Sequence, residues 1–582
     1  MDEPVKHSAK ETVKENSRQL RGTIADELAA ESDHFSKANV DLLKFHGTYQ
    51  QDDREARKQR KPGEDKSVRA YMFMIRSKIP GGKLTAAQFL TELDLCERFG
   101  NGTLRITSRQ GLQIHGVLKD KLWPTIHDIN TCLLSTLGAC GDVERNVMCC
   151  PAPHHGDGVR DRLQAIANQV AAHLAPRTRA YHEIWINGEK LEALPGLGTP
   201  AEEPIYGAVY MPRKFKTGLA LPNDNCVDIY SDDLGFLAVL ENGQLIGFNV
   251  LVGGGMGMTP ARKDTFPALA RRLGFIGVDE VIDLATAVVG VQRDFGRRDD
   301  RSLARLKYLI HAWGLEKFKA RVEEYYGRRI EEPDPTDVVG MDDHLGWHEQ
   351  GDGKLYLGVN IENGRIQDRD GVNSKTALRM LYEKFGPVGM NARLTALQSI
   401  LLNDIQPDWR EEINRTLRDH GVPSQTGISN ALRFSMACPA VPTCGLAITE
   451  SERSLPGIID ELEVELAKLG LDAEQFAIHM TGCPNGCARP YNCDIGLVGK
   501  AALKYTIRLG GNMLGTRLNC VYKDLVPAEE IVRTLIPLFL YFKADRRDGE
   551  SFGDFCHRKG PEDLQRTAEE LSAFTARASL LA

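Results

Sequence analysis

Apolar and polar positions alternate along this chain in blocks that come in a definite order. The run A-Y-M-F-M-I-R-S-K-I-P at residues 70–80 reads as a buried strand closed by Gly81 and Gly82. A helical period follows over residues 85–99. Two strands come next in T-L-R-I-T-S-R-Q-G-L-Q-I-H-G-V at residues 103–117, then a helix over residues 124–137. Strand, helix, two strands and helix at this spacing predict a half-domain of ferredoxin-like type. Residues 1–65 ahead of it read as an arm. Within the arm, residues 21–31 predict a short helix and residues 58–66 a solvated charge run around Pro62 and Gly63. F-H-G-T-Y-Q-Q-D-D-R at residues 45–54 is dense in hydrogen-bonding side chains, and its plain reading is a surface loop.

The pattern recurs. L-R-I-T-S-R-Q at residues 104–110 aligns with A-R-L-T-A-L-Q at residues 392–398, sharing Arg, Thr and Gln and setting Ile106 against Leu394. L-Y-L-G-V-N-I-E-N-G-R at residues 355–365 stands where the Tyr71 strand stood. A second pair, F-N-V-L-V-G-G-G-M-G at 248–257 and Y-T-I-R-L-G-G-N-M-L-G at 505–515, repeats in the same order. The chain therefore reads A–B–A′–B′, an internally duplicated α+β architecture. The expected divisions are an arm at 1–65, a ferredoxin-like half-domain at 66–155 and a larger α/β repeat at 156–335. A second half-domain at 336–425 and a second repeat at 426–582 complete it. The copies are not equivalent: Arg393 keeps the place of Arg105, but Leu397 stands opposite Arg109.

Composition narrows the class. A chain of 582 residues with 42% apolar and 26% charged content is ordinary for a multidomain globular protein. A net charge of −7, without a basic arm or aromatic-interleaved stripe, argues against nucleic-acid binding. No run of 18 apolar residues predicts a membrane span, and the polar N-terminus lacks the apolar stretch of a secretory signal. Thirteen scattered cysteines do not suit a disulfide scaffold, so a reducing compartment, the cytoplasm, is expected.

Two cysteine pairs bring in chemistry. A-C-P-A-V-P-T-C at 437–444 and H-M-T-G-C-P-N-G-C at 479–487 space four cysteines as C-x5-C, 38 intervening residues, and C-x3-C. Cys438, Cys444, Cys483 and Cys487 are candidate metal ligands, because thiolates bind soft metals and a quartet means tetrahedral zinc or an iron–sulfur cluster. Zinc hooks more often use tighter spacings, whereas gaps of five and three, each holding a proline, suit a wider cubane. Four buried, reduced cysteines are the plain alternative. The remaining cysteines, including the adjacent Cys149 and Cys150, read as small apolar filler.

The surrounding residues, C-P-x-x-P-T-C-x-L-A-x-x-E-x-E-R from Cys438 and T-G-C-P-N-G-C to Cys487, resemble the sirohaem-dependent sulfite and nitrite reductases. The resemblance covers nearly the whole chain, and that family shares the duplication. It implies that the four cysteines hold a 4Fe–4S cluster and that Cys487 also bridges to the sirohaem iron. For residues 45–54 it favours, over a surface loop, an arm packed across the core near the cofactors. The expected activity is the six-electron reduction of sulfite to sulfide, with ferredoxin-dependent nitrite reduction as the alternative. A cluster-only electron carrier is the rival of another class, although such carriers are usually small and need no buried cationic patch.

An anionic substrate and a polycarboxylate macrocycle need cations and backbone donors. Arg76 ends a strand's apolar run, Arg105 and Arg109 bracket the I-T-S turn, and Arg145 follows a helix in G-A-C-G-D-V-E-R-N-V. M-P-R-K-F-K-T at 211–217 puts Lys214 and Lys216 on one face of an extended segment, since strand side chains alternate. Any one of these reads equally as a surface charge. The resemblance assigns the anion on the sirohaem to Arg76, Arg145, Lys214 and Lys216. Related nitrite reductases have K-W-N where this chain has K-F-K, so the second lysine favours sulfite. Arg105, Arg109, His115, Asn485, Gly510, Gly511 and Asn512 are the further sirohaem contacts the resemblance implies. Some relatives carry a tyrosine–cysteine bond near the sirohaem, and Tyr49 and Cys140 are the matching pair.

V-G-G-G-M-G-M at 252–258 offers a rival, nucleotide binding. It lacks the G-x-G-x-x-G order and a Walker lysine, so backbone approach to a flat macrocycle or a tight strand turn explains it better. With no flavin or nicotinamide motif, electrons are expected from a separate protein, a ferredoxin or a flavoprotein reductase subunit. L-A-I-T-E and C-A-R-P-Y look like ferredoxin-dependent members, and F-H-G-T-Y-Q-Q-D-D-R like the haemoprotein of NADPH-dependent ones.

Overall fold

Thr85 starts the first long helix, Ala86–Arg98, through a reciprocal cap. Its hydroxyl accepts from Gln88 N at 3.2 Å and its own N–H donates to Gln88 Oε1 at 3.0 Å. The helix buries Ala86, Phe89, Leu93 and Cys96, an i, i+3, i+4 stripe, against an antiparallel sheet. In this computed structural model, residues 7–59, 69–187 and 203–581 are described. The charged run from residue 60 onward lies outside them. They form two units, one of Met1–Gly255, Ala270–Val338 and His344–Ser424, the other of Met256–Leu269, Val339–Asp343 and Gln425–Ala582.

The first unit holds both half-domains, and they exchange strands. One sheet runs Thr48–Asp52, Tyr71–Ser77, Leu112–Val117, Leu104–Ile106 and Arg365–Ile366. The other runs Gly346–Glu349, Leu355–Val359, Ile400–Ile405, Asn391–Leu394 and Lys83–Leu84. Each copy thus lends its short strand to its twin. The crossing backbones come very close: a Cβ on Gly82 would lie 2.4 Å from Leu394 O, and one on Gly364 would lie 2.3 Å from Ile106 O. Both glycines also sit at positive φ, 73° and 76°, so both positions need glycine. Gln110 and Gln398, the residues that ended the sequence match, share positive φ of 54° and 66°.

Two elements differ from the sequence pattern. The helix expected over 124–137 is Leu122–Thr131. Beyond it Leu133 takes φ 65° and is 88% exposed, so the later apolar positions belong to a turn. The stretch at 45–54 is no surface loop. Thr48–Asp52 pairs antiparallel with Tyr71–Ser77 as an edge strand, and Phe45 and His46 are buried. His46 satisfies its ring by bonding Trp185 Nε1 at 2.8 Å and Leu20 O at 2.9 Å. The arm's Leu20, Ile24, Phe35, Leu42 and Leu43 join the same core as the half-domains.

The first repeat adds a four-stranded sheet, Thr217–Ala220, Leu234–Glu241, Gln244–Val252 and Arg271–Gly277, whose first pair is parallel. The second unit is its counterpart. Its sheet runs Ser435–Ala437, Ile478–Thr481, Ile495–Ala501, Lys504–Leu509 and Cys520–Pro527, with the first three strands parallel. Helices Leu455–Leu469 and Ile531–Asp545 supply apolar residues to its core. The duplication extends to single hydrogen bonds: Gly253 N donates to Asp233 O at 2.9 Å as Gly510 N does to Asp494 O at 3.3 Å. Among the described residues, no helix is long and apolar enough to cross a membrane.

Candidate functional site

In the second unit, Cys438 directly follows the strand Ser435–Ala437, and Cys483 follows its parallel neighbour Ile478–Thr481 by two residues. Adjacent parallel strands deliver both loops to the carboxyl end of the sheet, where such sheets place ligands. The loops are tied together. Cys438 N donates to Met480 O at 3.2 Å, Gly482 N donates to Cys438 Sγ at 3.4 Å, and Ile448 N donates to Gly482 O at 2.8 Å. Asn485 Nδ2 lies 3.5 Å from Cys483 Sγ.

The four sulfurs sense one another. Burial raises the pKa of Cys438 and Cys483, the latter to about 12; charge on the other three cysteines adds to the shift at Cys438, and charge on Cys487 and Cys444 to that at Cys483. The quartet is thus gathered in one place, as the four thiolate ligands of a 4Fe–4S cluster must be. Cys438 and Cys483 are buried, Cys444 is half-buried and Cys487 is exposed.

In the first unit, the extended segment around Phe215 runs beside that of Glu144. Phe215 N donates to Val143 O at 3.1 Å and Arg145 N to Phe215 O at 3.0 Å. Phe215 is buried, and Lys214 and Lys216 flank it on the opposite face. The arm and the first repeat both brace this pair of segments: Lys14 Nζ of the arm donates to Met211 O at 2.8 Å, and Arg301 of the repeat binds Asp142 through both Nη atoms at 2.6 and 2.7 Å. Arg76 Nη1 donates to Cys140 Sγ at 3.0 Å and stands 5.9 Å from the Tyr49 ring centre. Burial and the neighbouring Cys140 raise the pKa of Tyr49, and Tyr49 in turn favours the charge on Arg145. Arg76, Arg145, Tyr49 and Cys140 thus form one cluster.

Positive charge is in excess here. Lys216 is pushed down to about 8, Arg213 to about 10 and Lys307 to about 6. In each case burial is the largest cause and a neighbouring guanidinium the next. Arg305 is neutralised by Asp233, at 2.9 and 2.8 Å. Arg109 pairs with Asp232 at 2.6 Å and donates to Asn146 O and Thr217 O at 2.7 and 3.0 Å, so its guanidinium braces the strand that follows Lys216. Buried cations that depress one another's pKa make a local field that favours an anion.

A second cationic group surrounds His115. Both ring nitrogens are buried without a hydrogen-bond partner among the described residues. Burial holds the ring's pKa well below its ordinary value, and the charges of Arg365, Arg105 and Arg76 add to that. Strand exchange produces this juxtaposition, since Arg365 pairs directly with Arg105. An orphaned histidine among three guanidiniums is a donor set that fits a polycarboxylate macrocycle.

Gly510, Gly511 and Asn512 have a local explanation. The carbonyls of Gly510 and Gly511 each accept from Arg517 at 2.8 Å, and a Cβ on Gly511 would lie 2.3 Å from Cys493 O. Asn512 caps a turn with Thr516 at 2.9 and 3.0 Å. Sequence reasoning did not single out Arg213, Lys307 or Arg365. Nothing in their spacing separates them from surface cations, and only the fold buries or juxtaposes them.

Duplicated half-domains with a thiolate quartet at the end of parallel strands define an iron–sulfur oxidoreductase. The family description "Nitrite and sulphite reductase 4Fe-4S domain" matches residues 165–330 and 429–574, and "Nitrite/Sulfite reductase ferredoxin-like half domain" matches residues 66–130. The chain belongs to the nitrite and sulfite reductase family, and its cofactors are a 4Fe–4S cluster and sirohaem. It is 43% identical to the sulfite reductase [NADPH] hemoprotein beta-component of Staphylococcus saprophyticus, over 94% of this chain and 95% of that one. It is 42% identical to the sulfite reductase [ferredoxin] of Synechococcus elongatus, over 97% and 92%. The solved structure of the Mycobacterium tuberculosis NirA protein aligns at a TM-score of 0.77 with 26% identity, over 97% of this chain and 98% of that one.

Proposed function

We propose that this chain reduces sulfite to sulfide, with Arg76, Arg145, Lys214 and Lys216 holding the anion and Cys438, Cys444, Cys483 and Cys487 holding the cluster. When bound, the sirohaem would supply a redox-active iron for the reduction of sulfite, with the cluster as its electron reservoir. Cys487, the exposed member of the quartet, would be the residue that helps to hold both groups. Arg105, Arg365 and His115 hold the macrocycle's carboxylates, and Asn485 steadies Cys483.

The observation that carries the choice of sulfite is the Lys214-Phe215-Lys216 segment beside Arg145. Converting sulfite dianion to hydrosulfide and three waters consumes six electrons and seven protons. An ammonium poised at about 8 gives up a proton near neutral pH far more readily than an ordinary lysine does. Lys216 is therefore both a charge that binds the dianion and an acid that protonates departing oxygen. Arg145 keeps its charge at any working pH. Burial opposes that charge, but Tyr49, Cys140 and Asp142 more than offset it, so Arg145 serves as the fixed clamp.

Electrons come from a separate protein, a ferredoxin or a flavoprotein reductase, and the reaction is cytoplasmic. The thirteen cysteines, none in a disulfide, support a reducing compartment. Anaerobic turnover of sulfite with reduced ferredoxin, and separately with a flavoprotein reductase and NADPH, tests the reading. Sulfide formed with either donor supports it, and failure with both and with a reduced viologen overturns it.

A further inference from the structure

Cys149 and Cys150 are adjacent, and an extended backbone sends successive side chains to opposite sides. Cys149 Sγ turns to Gln164, 3.6 Å from Oε1. Cys150 Sγ turns the other way and meets three residues from distant parts of the chain. It lies 2.8 Å from Asp224 Oδ2 and 3.6 Å from His344 Nε2, and that nitrogen lies 3.2 Å from the same carboxylate oxygen. Cys226 completes the group. One donor atom of each of the four residues lies within 4.8 Å of the other three, and all four residues are at least 97% buried. The expectation that Cys150 and Cys226 are apolar filler fails here, because filler does not gather a carboxylate and an imidazole around it.

We propose that Cys150, Asp224, Cys226 and His344 bind a zinc ion that serves as a structural clasp of the first unit. The site shares no residue with the cysteine quartet, which belongs to the second unit. Two thiolates, one imidazole and one carboxylate are a closed tetrahedral set for zinc, with no position left for substrate. Bonds of about 2.3 Å to sulfur and about 2.0–2.2 Å to nitrogen and oxygen give tetrahedral edges of about 3.3–3.8 Å, the longest between the two sulfurs. The sulfur–nitrogen and nitrogen–oxygen separations are close to these values. The shorter sulfur–oxygen edge is that of a thiol donating to a carboxylate, and it opens when an ion replaces the proton.

Two neighbours support the assignment. Asp224 Oδ1 accepts from Cys226 N at 3.3 Å, which fixes the carboxylate so that Oδ2 faces the other donors. Such an orienting contact is typical of metal-binding carboxylates. Arg160 Nη2 lies 3.5 Å from Asp224 Oδ2. Two thiolates and a carboxylate on a dication leave one negative charge, and one guanidinium balances it, as a buried site requires. The ion would join the segment leading out of the first half-domain, the turn after Thr217–Ala220 and the segment leading into Gly346–Glu349.

Elemental analysis of the full-length holoenzyme, purified without chelators from zinc-supplemented cells, reads the site apart from iron. About one zinc per chain is expected, falling at least tenfold in Cys226→Ala and His344→Gln while iron and sirohaem absorbance stay at wild-type levels. Zinc-edge X-ray absorption of the wild-type protein does not depend on a variant folding. It should show two sulfurs at about 2.3 Å and two nitrogen or oxygen ligands at about 2.0 Å. Zinc below about one-tenth per chain, a four-sulfur shell from zinc misplaced in the quartet, or undiminished zinc in the variants would each overturn the proposal.

Discussion

Replacing Lys216 by glutamine removes one cation from a site where cations already repel each other. Its pKa falls from an ordinary 10.5 to about 8, which corresponds to about 3 kcal/mol of disfavour for the charged form at 1.36 kcal/mol per pH unit. A bound dianion repays that disfavour, and a neutral amide cannot attract it. One charge-assisted contact is worth about 1.5–3 kcal/mol, so kcat/KM for sulfite should fall about 10- to 150-fold. The Coulomb term scales with ligand charge, so nitrite, a monoanion, should lose about half that free energy, about 3- to 12-fold. Steady-state assays with reduced viologen on both anions measure the ratio. The pH profile adds a sign. The ammonium is present below about 8 and lost above it, so the KM for sulfite should climb as pH rises from 7 to 9 in wild type. The part of that rise due to Lys216 should be missing in the variant. Stability moves the other way: a lysine with a lowered folded-state pKa works against folding below about 8, and that penalty fades as pH rises toward 10.5. Lys216→Gln should therefore melt no lower than wild type at neutral pH. Equal losses for sulfite and nitrite, with a lowered Tm, would make Lys216 a structural cation and refute the reasoning.

The other sites give separate expectations. Cys438→Ser or Cys483→Ser should lose the cluster iron and with it the thermal transition of the second unit, read by iron analysis and calorimetry. Cys487→Ser should abolish magnetic coupling between sirohaem and cluster, together with six-electron turnover, and retained turnover would contradict its bridging role. Arg76→Met and Arg145→Met should weaken sulfite and nitrite alike, by at least about tenfold in KM, since each clamps any anion. Peptide mapping of denatured protein should recover Tyr49 and Cys140 in one cross-linked species. Two separate, unlinked fragments would refute the cross-link.

Much of this was legible in the residues. Ala86–Arg98, Tyr71–Ser77 and the strand pair after it follow directly from periodicity, and the shared Arg, Thr and Gln of the repeat mark a real duplicated turn. The quartet's spacing pointed to a cubane, and the family match to a 4Fe-4S domain agrees with that cofactor. What periodicity misses is polar structure made by pairing. Thr48–Asp52 is T-Y-Q-Q-D, without apolar alternation, and becomes a strand because Tyr71–Ser77 offers an edge. Strand exchange sets Arg365 against Arg105, a contact no local pattern records. Cys150, Asp224, Cys226 and His344 span nearly 200 residues of chain, so only the fold brings them together.

Sulfite is the proposed substrate of a coupled iron centre. Anaerobic titration of the purified holoenzyme with reduced viologen, counting electrons consumed per sulfide released, tests that assignment directly. Six electrons per sulfide, with kcat/KM for sulfite above that for nitrite, is the predicted result. No sulfide, or a higher kcat/KM for nitrite with ammonia as product, would contradict it.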